Sequence, residues 1–122
     1  WLCGICCCPP NNEIHKTALG AELTVDWRYF QYTLDAVRTL QEDGYIVYAI
    51  EQAHGSTLLQ DIQLPKNQKT AIIMGHEVFG VQQEVVDAAN GCIEIPQYGT
   101  KHSLNVSVTA GIVMYELSNM LR

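Results

Sequence analysis

Residues 94–108 read EIPQYGTKHSLNVSV. A short apolar strand closes on Pro96, and a polar stretch follows. From Ser103-Leu104-Asn105 a hydrophobic periodicity restarts, in which Leu104, Val108, Ile112 and Tyr115 recur at helical spacing. Serine and asparagine before such a run are helix-start residues, because their side-chain oxygens accept backbone N–H groups that the first turn leaves without partners. On residue chemistry alone, Ser103 caps a long closing helix and Asn105 lies in its first turn. The chain thus finishes as strand, turn, helix.

Working upstream, the same unit repeats. Thr70 to Met74 (TAIIM) is a near-continuous apolar run, of the kind a strand covered on both faces displays, and so is Tyr45 to Ile50 (YIVYAI). Between Met74 and the strand Cys92 to Ile95 (CIEI), Val81, Val85, Ala88 and Ala89 fall on one helical stripe, with Asn90-Gly91 as its stop. Before Tyr45, Thr33 is the expected cap of a helix bearing Leu34, Val37 and Leu40, and Gly44 its end. Farther back, EIHKTAL (13–19) is expected to form one or two helical turns, ELTVDW (22–27) a strand, and Trp1 to Ile5 a strand already under way, so that a segment upstream is expected. Residues 51–69 read as mostly loop. Short buried strands alternating with helices specify an α/β fold, a parallel sheet with helices on both faces, whose ligands bind at the carboxyl ends of the strands. The turns after Ile50, Met74 and Ile95 are therefore the candidate site.

The totals are consistent with this. At 122 residues, with 48% hydrophobic and 16% charged residues, the chain is one domain by length and can bury a full core. A net charge of −6 argues against a broad basic face; Lys66 with Lys69, and Lys101 with His102, read as ordinary solvated loop charge. No apolar run is long enough to span a bilayer. Cys3, Cys6, Cys7 and Cys8 crowd the first eight residues, but a structural zinc site wants two separated ligand pairs, and only Cys92 and His15 could complete one. Small buried thiols on a strand and its exit loop, in a reducing cytoplasm, are expected instead.

GHEVFG (75–80) fails two familiar signatures. HExxH needs histidine where Gly80 stands, and a phosphate-binding GxxxxGK[ST] needs lysine where Val81 stands. Gly75 after a strand and Gly80 before a helix fit either a ligand lying against the backbone or a plain tight turn. His102-Ser103 with Asp87 or Asp61 does not make a hydrolase triad, since adjacent loop residues rarely oppose each other and no GxSxG elbow is present.

The order of these parts, strand-GHExxG-helix followed by CIEIPQYGTKHSLNVSVTAGIVMYEL, resembles the second and third motifs of the SpoU/TrmH family of SPOUT-class RNA ribose methyltransferases. The third motif, Ile95-Pro96, Gly99, then Ser103-Leu104-Asn105-Val106-Ser107, is highly specific, and the stretch from Leu2 to Glu22 also looks like the middle of those proteins. The resemblance implies a deep carboxyl-terminal trefoil knot, an exception to the unthreaded rule. It implies transfer of a methyl group from S-adenosyl-L-methionine to a ribose 2′-hydroxyl of tRNA or rRNA. Cofactor contacts are implied at Ile50, Glu51, Met74, Gly75, Gly80, Ile95, Pro96, Ser103, Leu104 and Asn105. Ser103 and Asn105 would act at the nucleotide, and Glu77 would support the pocket by hydrogen bonds. A homodimer packed through the final helix, with Leu117, Met120 and Leu121 as candidate contacts, is also implied. Two departures stand out. His76 replaces the asparagine usual before that glutamate, and the first motif, an asparagine followed by an arginine, is expected upstream of Trp1. A non-catalytic knotted module that dimerises or binds RNA or cofactor is the alternative.

Overall fold

A computed structural model of the chain describes residues 1–76, 80–96 and 105–122. Strand β3 (Ile46–Ile50) forms the spine of a four-stranded parallel sheet of order β4-β6-β3-β5, where β4 is Thr57–Leu58, β5 Thr70–Met74 and β6 Gly91–Glu94. Its alternate residues face opposite layers, as the two-residue period of a strand requires. Val47 packs with Val37 of α2 (Thr33–Glu42) and Val85 of α3 (Gln83–Ala88), joined by Leu40, Tyr45, Ala71, Ile73 and Val81. On the other face Ile50 and Ile93 pack with Val113 and Leu117 of α4 (Val106–Leu121), joined by Tyr48, Ile72 and Met74. Both faces are covered, which is why these strands are apolar at nearly every position. Ile93 and Val113 are 0% exposed; each contributes about 1.5–3 kcal/mol of transfer free energy.

Helix α2 ends as its sequence dictates. Gly44 takes φ +86°, its N–H donates to Gln41 O and that of Tyr45 to Leu40 O, a pairing that satisfies two terminal carbonyls. Its start differs from expectation: Tyr32 holds the capping position without a side-chain bond, and Thr33 is the first helical residue. Helix α1 (Asn12–Ala18) is capped by Asn11, whose Oδ1 accepts from Glu13 and Ile14 N–H.

Other expectations need correction. ELTVDW is no strand: a 3-10 turn occupies Ala21–Leu23, and Leu23 and Val25 are exposed. The strand after it is Tyr29–Phe30 (β2), which pairs in parallel with Leu2–Cys3 (β1) in a separate two-stranded sheet. Residues 51–69 are more than loop. They supply β4 at the sheet edge, and Leu59 and Ile62 just after it are buried against Ile93 and Val113. A two-residue strand is too short to print a period in the sequence. Helix α3 begins at Gln83, two residues later than expected, because Val81 N–H is held by Glu51 and Gln82 is extended. Helix α4 begins at Val106, with Asn105 as its cap; Ser103 lies outside the described residues. No helix among the described residues is long and apolar enough to cross a membrane.

Asn90, expected only as a helix stop, joins helix and sheet. Its Oδ1 accepts from Val47 N–H (2.8 Å) and from Gln41 Nε2 (3.1 Å), and its own N–H donates to Val47 O (2.8 Å). Asn90→Ala strands the Val47 donor in the interior, so urea denaturation should register a loss of about 1–3 kcal/mol. Asn90→Asp, which keeps the acceptor, should cost less; equal losses would show that the side-chain oxygen is not what matters.

Candidate functional site

The ends of the three strands that lead into the expected site turns lie together. In register, Ile50 pairs with Met74 on one side and with Ile93 on the other, so β3, β5 and β6 end level at one edge of the sheet. Glu51 N–H continues the ladder by donating to Ile93 O at 3.1 Å. Ile50, Met74 and Ile95 share one apolar cluster beneath that edge, on the α4 side.

On the opposite face Glu51 braces the turn after β5. Its Oε2 accepts from Val81 N–H (2.8 Å) and its Oε1 from Gln52 N–H (3.1 Å). The turn closes on itself, as His76 N–H donates to Gly80 O (3.0 Å) and Gly80 N–H to His76 O (2.8 Å). Gly80 sits at φ +69°, and a Cβ there would overlap the Glu51 carboxylate; a Cβ on Gly75 would overlap the Gly80 and Val81 backbone. Of the two readings open for these glycines, packing of the turn against its own chain accounts for both. Glu77 lies outside the described residues.

Asn105 caps α4 through its carboxamide oxygen, which accepts from Ser107 N–H (2.9 Å) and Ser107 Oγ (2.6 Å). A backbone N–H can only donate, so that atom is the oxygen, and the amide nitrogen keeps two donors that bond to no described residue. Ser103 and Leu104 lie outside the described residues, as does Gly99. Ile95 and Pro96 line a cleft of about 280 Å³ together with Leu59, Gln60 and Glu116. Gln60 and Glu116 were not legible as site residues: one follows an edge strand without a period, and the other is a single acid on an apolar helix.

Cys92 lies beside Glu51 on the adjoining strand. Burial first, and the Glu51 carboxylate second, push its thiol above the usual range. Burial also raises Cys3. All five cysteines are free, but the expected burial of the amino-terminal thiols fails, since Cys6 and Cys7 are exposed on the loop that leaves β1; no metal-holding group of three or more His, Cys, Asp or Glu occurs among the described residues.

The profile of the family described as SpoU rRNA Methylase matches residues 1–115. A tRNA (guanosine(18)-2′-O)-methyltransferase of Borreliella burgdorferi is 35% identical over 104 residues, 85% of this chain and 47% of that protein. One of the same description from Thermus thermophilus is 34% identical over 108 residues, 88% of this chain and 53% of the other. The chain thus spans about half the length of the curated relatives it matches. Among solved structures, the AdoMet-bound rRNA methyltransferase of Sinorhizobium meliloti superposes with a TM-score of 0.88 at 27% identity, covering 99% of this chain and 45% of that one.

Two outcomes test this geometry. Gly80→Ala forces the Glu51 carboxylate away from Val81 and strains a left-handed residue, for a loss of about 1–3 kcal/mol in chemical denaturation; Gly75→Ala, which drives a methyl into backbone, should cost more. In timed alkylation between pH 7 and 9, Cys92 and Cys3 should label more slowly than the exposed Cys6 and Cys7. Glu51→Gln removes the negative neighbour, favours the thiolate and should accelerate Cys92 alone. Equal labelling of all the cysteines would contradict the assigned burial.

Proposed function

The chain belongs to the SpoU rRNA methylase family, and from that premise we propose that its 122 residues form one SpoU-type methyltransferase unit that acts on the ribose 2′-hydroxyl of a guanosine in tRNA or rRNA, in the cytoplasm, with S-adenosyl-L-methionine as cofactor. The relatives named above act on guanosine in tRNA. The observation that carries the reading is the level ending of β3, β5 and β6, which brings Ile50, Glu51, Met74, Gly75 and the Ile95-Pro96 turn to one edge of the sheet.

These residues suit the cofactor. The cluster of Ile50, Met74 and Ile95 offers apolar cover for a planar adenine. When bound, S-adenosyl-L-methionine supplies a methyl group activated on sulfur. Gly75, Gly80, Pro96, Leu104 and Asn105 hold and orient the pocket, with Glu51 keeping the turn after β5 in place and Glu77 supporting it. The spare amide donors of Asn105, fixed by the cap its oxygen makes, can hold a ligand oxygen. Ser103, two residues earlier, contacts the nucleotide. Such positioning is worth much of the rate in a displacement of this kind.

Two finer features belong to the same reading. Strand β6 is the last strand among the described residues yet lies inside the sheet, between β4 and β3; the passage from Pro96 to Asn105 is proposed to thread a carboxyl-terminal trefoil knot. A homodimer is proposed through α4, in which Leu121 of the expected contacts lies outside the core clusters. Leu117 is 4% exposed and, with Met120, packs into the core, whereas Val108, Ile112 and Tyr115 form an exposed apolar stripe at positions i, i+4 and i+7. The second reading, a knotted module that binds without turnover, draws on His76 in place of asparagine and on the net charge of −6.

The intact protein with labelled cofactor and total RNA from a strain lacking it should give one 2′-O-methylguanosine, mapped by mass spectrometry. Ser103→Ala should lower kcat/KM about tenfold, roughly the worth of one hydrogen bond at the reacting nucleotide. Cofactor binding in a calorimeter without any methylated RNA would select the non-catalytic module. Neither binding nor methylation would sink both.

A further inference from the structure

The loop that leaves β1 carries a chemistry that the proposed methyl transfer does not use. Cys3-Gly4-Ile5-Cys6 is a C-x-x-C pair placed between a strand and a helix, the context in which that spacing reads as a dithiol. Cys3 is fixed in place, because on either side of it Leu2 N–H donates to Arg28 O and Gly4 N–H to Phe30 O, both at 2.9 Å. Gly4 then takes φ +67°, a left-handed bend that glycine makes without strain. Beyond that bend the Cys6 sulfur comes within 2.9 Å of the Cys3 carbonyl oxygen. Burial raises the Cys3 thiol, and the nearby Cys6 sulfur adds to the rise, a second sign that the two sulfurs are neighbours. Cys3 is half-buried and Cys6 exposed, whereas Cys8 turns its sulfur to the Cys6 carbonyl oxygen, at 3.8 Å. A structural zinc wants four ligands, and no metal-holding group forms around the pair among the described residues.

We propose that Cys3 and Cys6 form a redox-modification site, a dithiol that closes to a disulfide by exchange with a low-molecular-weight disulfide of the glutathione class. The exposed Cys6 meets the oxidant first. Its thiolate attacks one sulfur of the small disulfide; a bond from Cys6 to that sulfur forms, the old sulfur–sulfur bond breaks, and one small thiolate leaves with the electron pair. Cys3 then gives its proton to water and attacks the Cys6 sulfur, expelling the second small thiolate. In sum, two protein thiols are oxidised to one disulfide, and the small disulfide is reduced to two thiols that take up the two protons. Bridged residues stand with Cα atoms about 4.4–6.8 Å apart, a span that residues three apart reach only where the chain turns, and Gly4 supplies the turn. Adjacent residues stand about 3.8 Å apart, short of that span, which disfavours Cys6 with Cys7 and Cys7 with Cys8. In a reducing compartment the pair rests as thiols and closes on oxidation, the usual habit of a cytosolic disulfide. Once closed, it ties the loop before α1 to β1.

The tryptic peptide that ends at Lys16 carries Cys3, Cys6, Cys7 and Cys8, so mass spectrometry of the intact protein after acid quenching and digestion reads the chemistry directly. Cys7→Ser/Cys8→Ser leaves only the proposed pair in that peptide. Equilibrated with reduced and oxidised glutathione at about 0.1 mM each, this variant should hold the bridged peptide, two hydrogens lighter than the dithiol, in about tenfold excess over the glutathione adduct, because a partner three residues away acts at millimolar effective concentration. Dithiothreitol should restore both thiols. Adding Cys3→Ser should stop the reaction at one glutathione on Cys6. Wild type should show the same two-hydrogen loss, and Cys6→Ser, a change at an exposed loop position that spares the core, should abolish it. A Cys6 adduct that outweighs the bridge in the two-cysteine variant, or a pair that stays reduced, overturns the proposal. So does a two-hydrogen loss that survives Cys6→Ser, which would place the bridge between other thiols, and so does a disulfide joining two copies of the chain in place of the internal one.

Discussion

The parallel register that sets β5 and β6 on either side of β3 is the constraint on which everything else depends. Because Ile50 stands level with both Met74 and Ile93, three turns leave the sheet at the same height. Parallel ladders need helical crossovers, so the helices that return the chain must lie on the sheet's faces, and each face acquires its own apolar cluster. Burial then holds the register. A slip of one residue would turn Val47 and Ala49, both fully buried, toward the wrong layer.

At that edge the turn after β5 owes its shape to one carboxylate. Glu51 follows β3 directly, lies against Gly80 and accepts the Val81 N–H that would otherwise stay unpaired at the approach to α3. The two glycines make room for this contact, and the paired bonds between His76 and Gly80 close the loop. Turns are usually among the least stable parts of a fold; this one is tied to the spine of the sheet. The same carboxylate contributes to the raised thiol of Cys92 on the neighbouring strand, so the local charge and the local geometry have one source.

Helix α4 serves three tasks with three faces. Val113 and Leu117 enter the core, Asn105 caps its start, and Val108, Ile112 and Tyr115 remain exposed. The apolar stripe that announced the helix in the sequence is thus largely its outer surface. Periodicity established that a helix exists but not which side it buries, because α4 is apolar nearly all round and offers two stripes of similar strength.

The sequence by itself determined the alternation of buried strands and helices and the glycine end of α2, because unbroken apolar runs and left-handed glycines reflect local physics that neighbours in the chain suffice to impose. Its motifs also carried the family. Only the tertiary structure decided that 22–27 is no strand, since a strand needs a partner and the apolar residues there stay exposed; that Thr57–Leu58 is one, since β6 offers its edge; and that Asn90 and Glu51 are structural clamps. Gln60 and Glu116 came together in the same way. Strand pairing, long-range hydrogen bonds and clefts are contacts between residues tens of positions apart, and no local pattern encodes which distant partner will arrive.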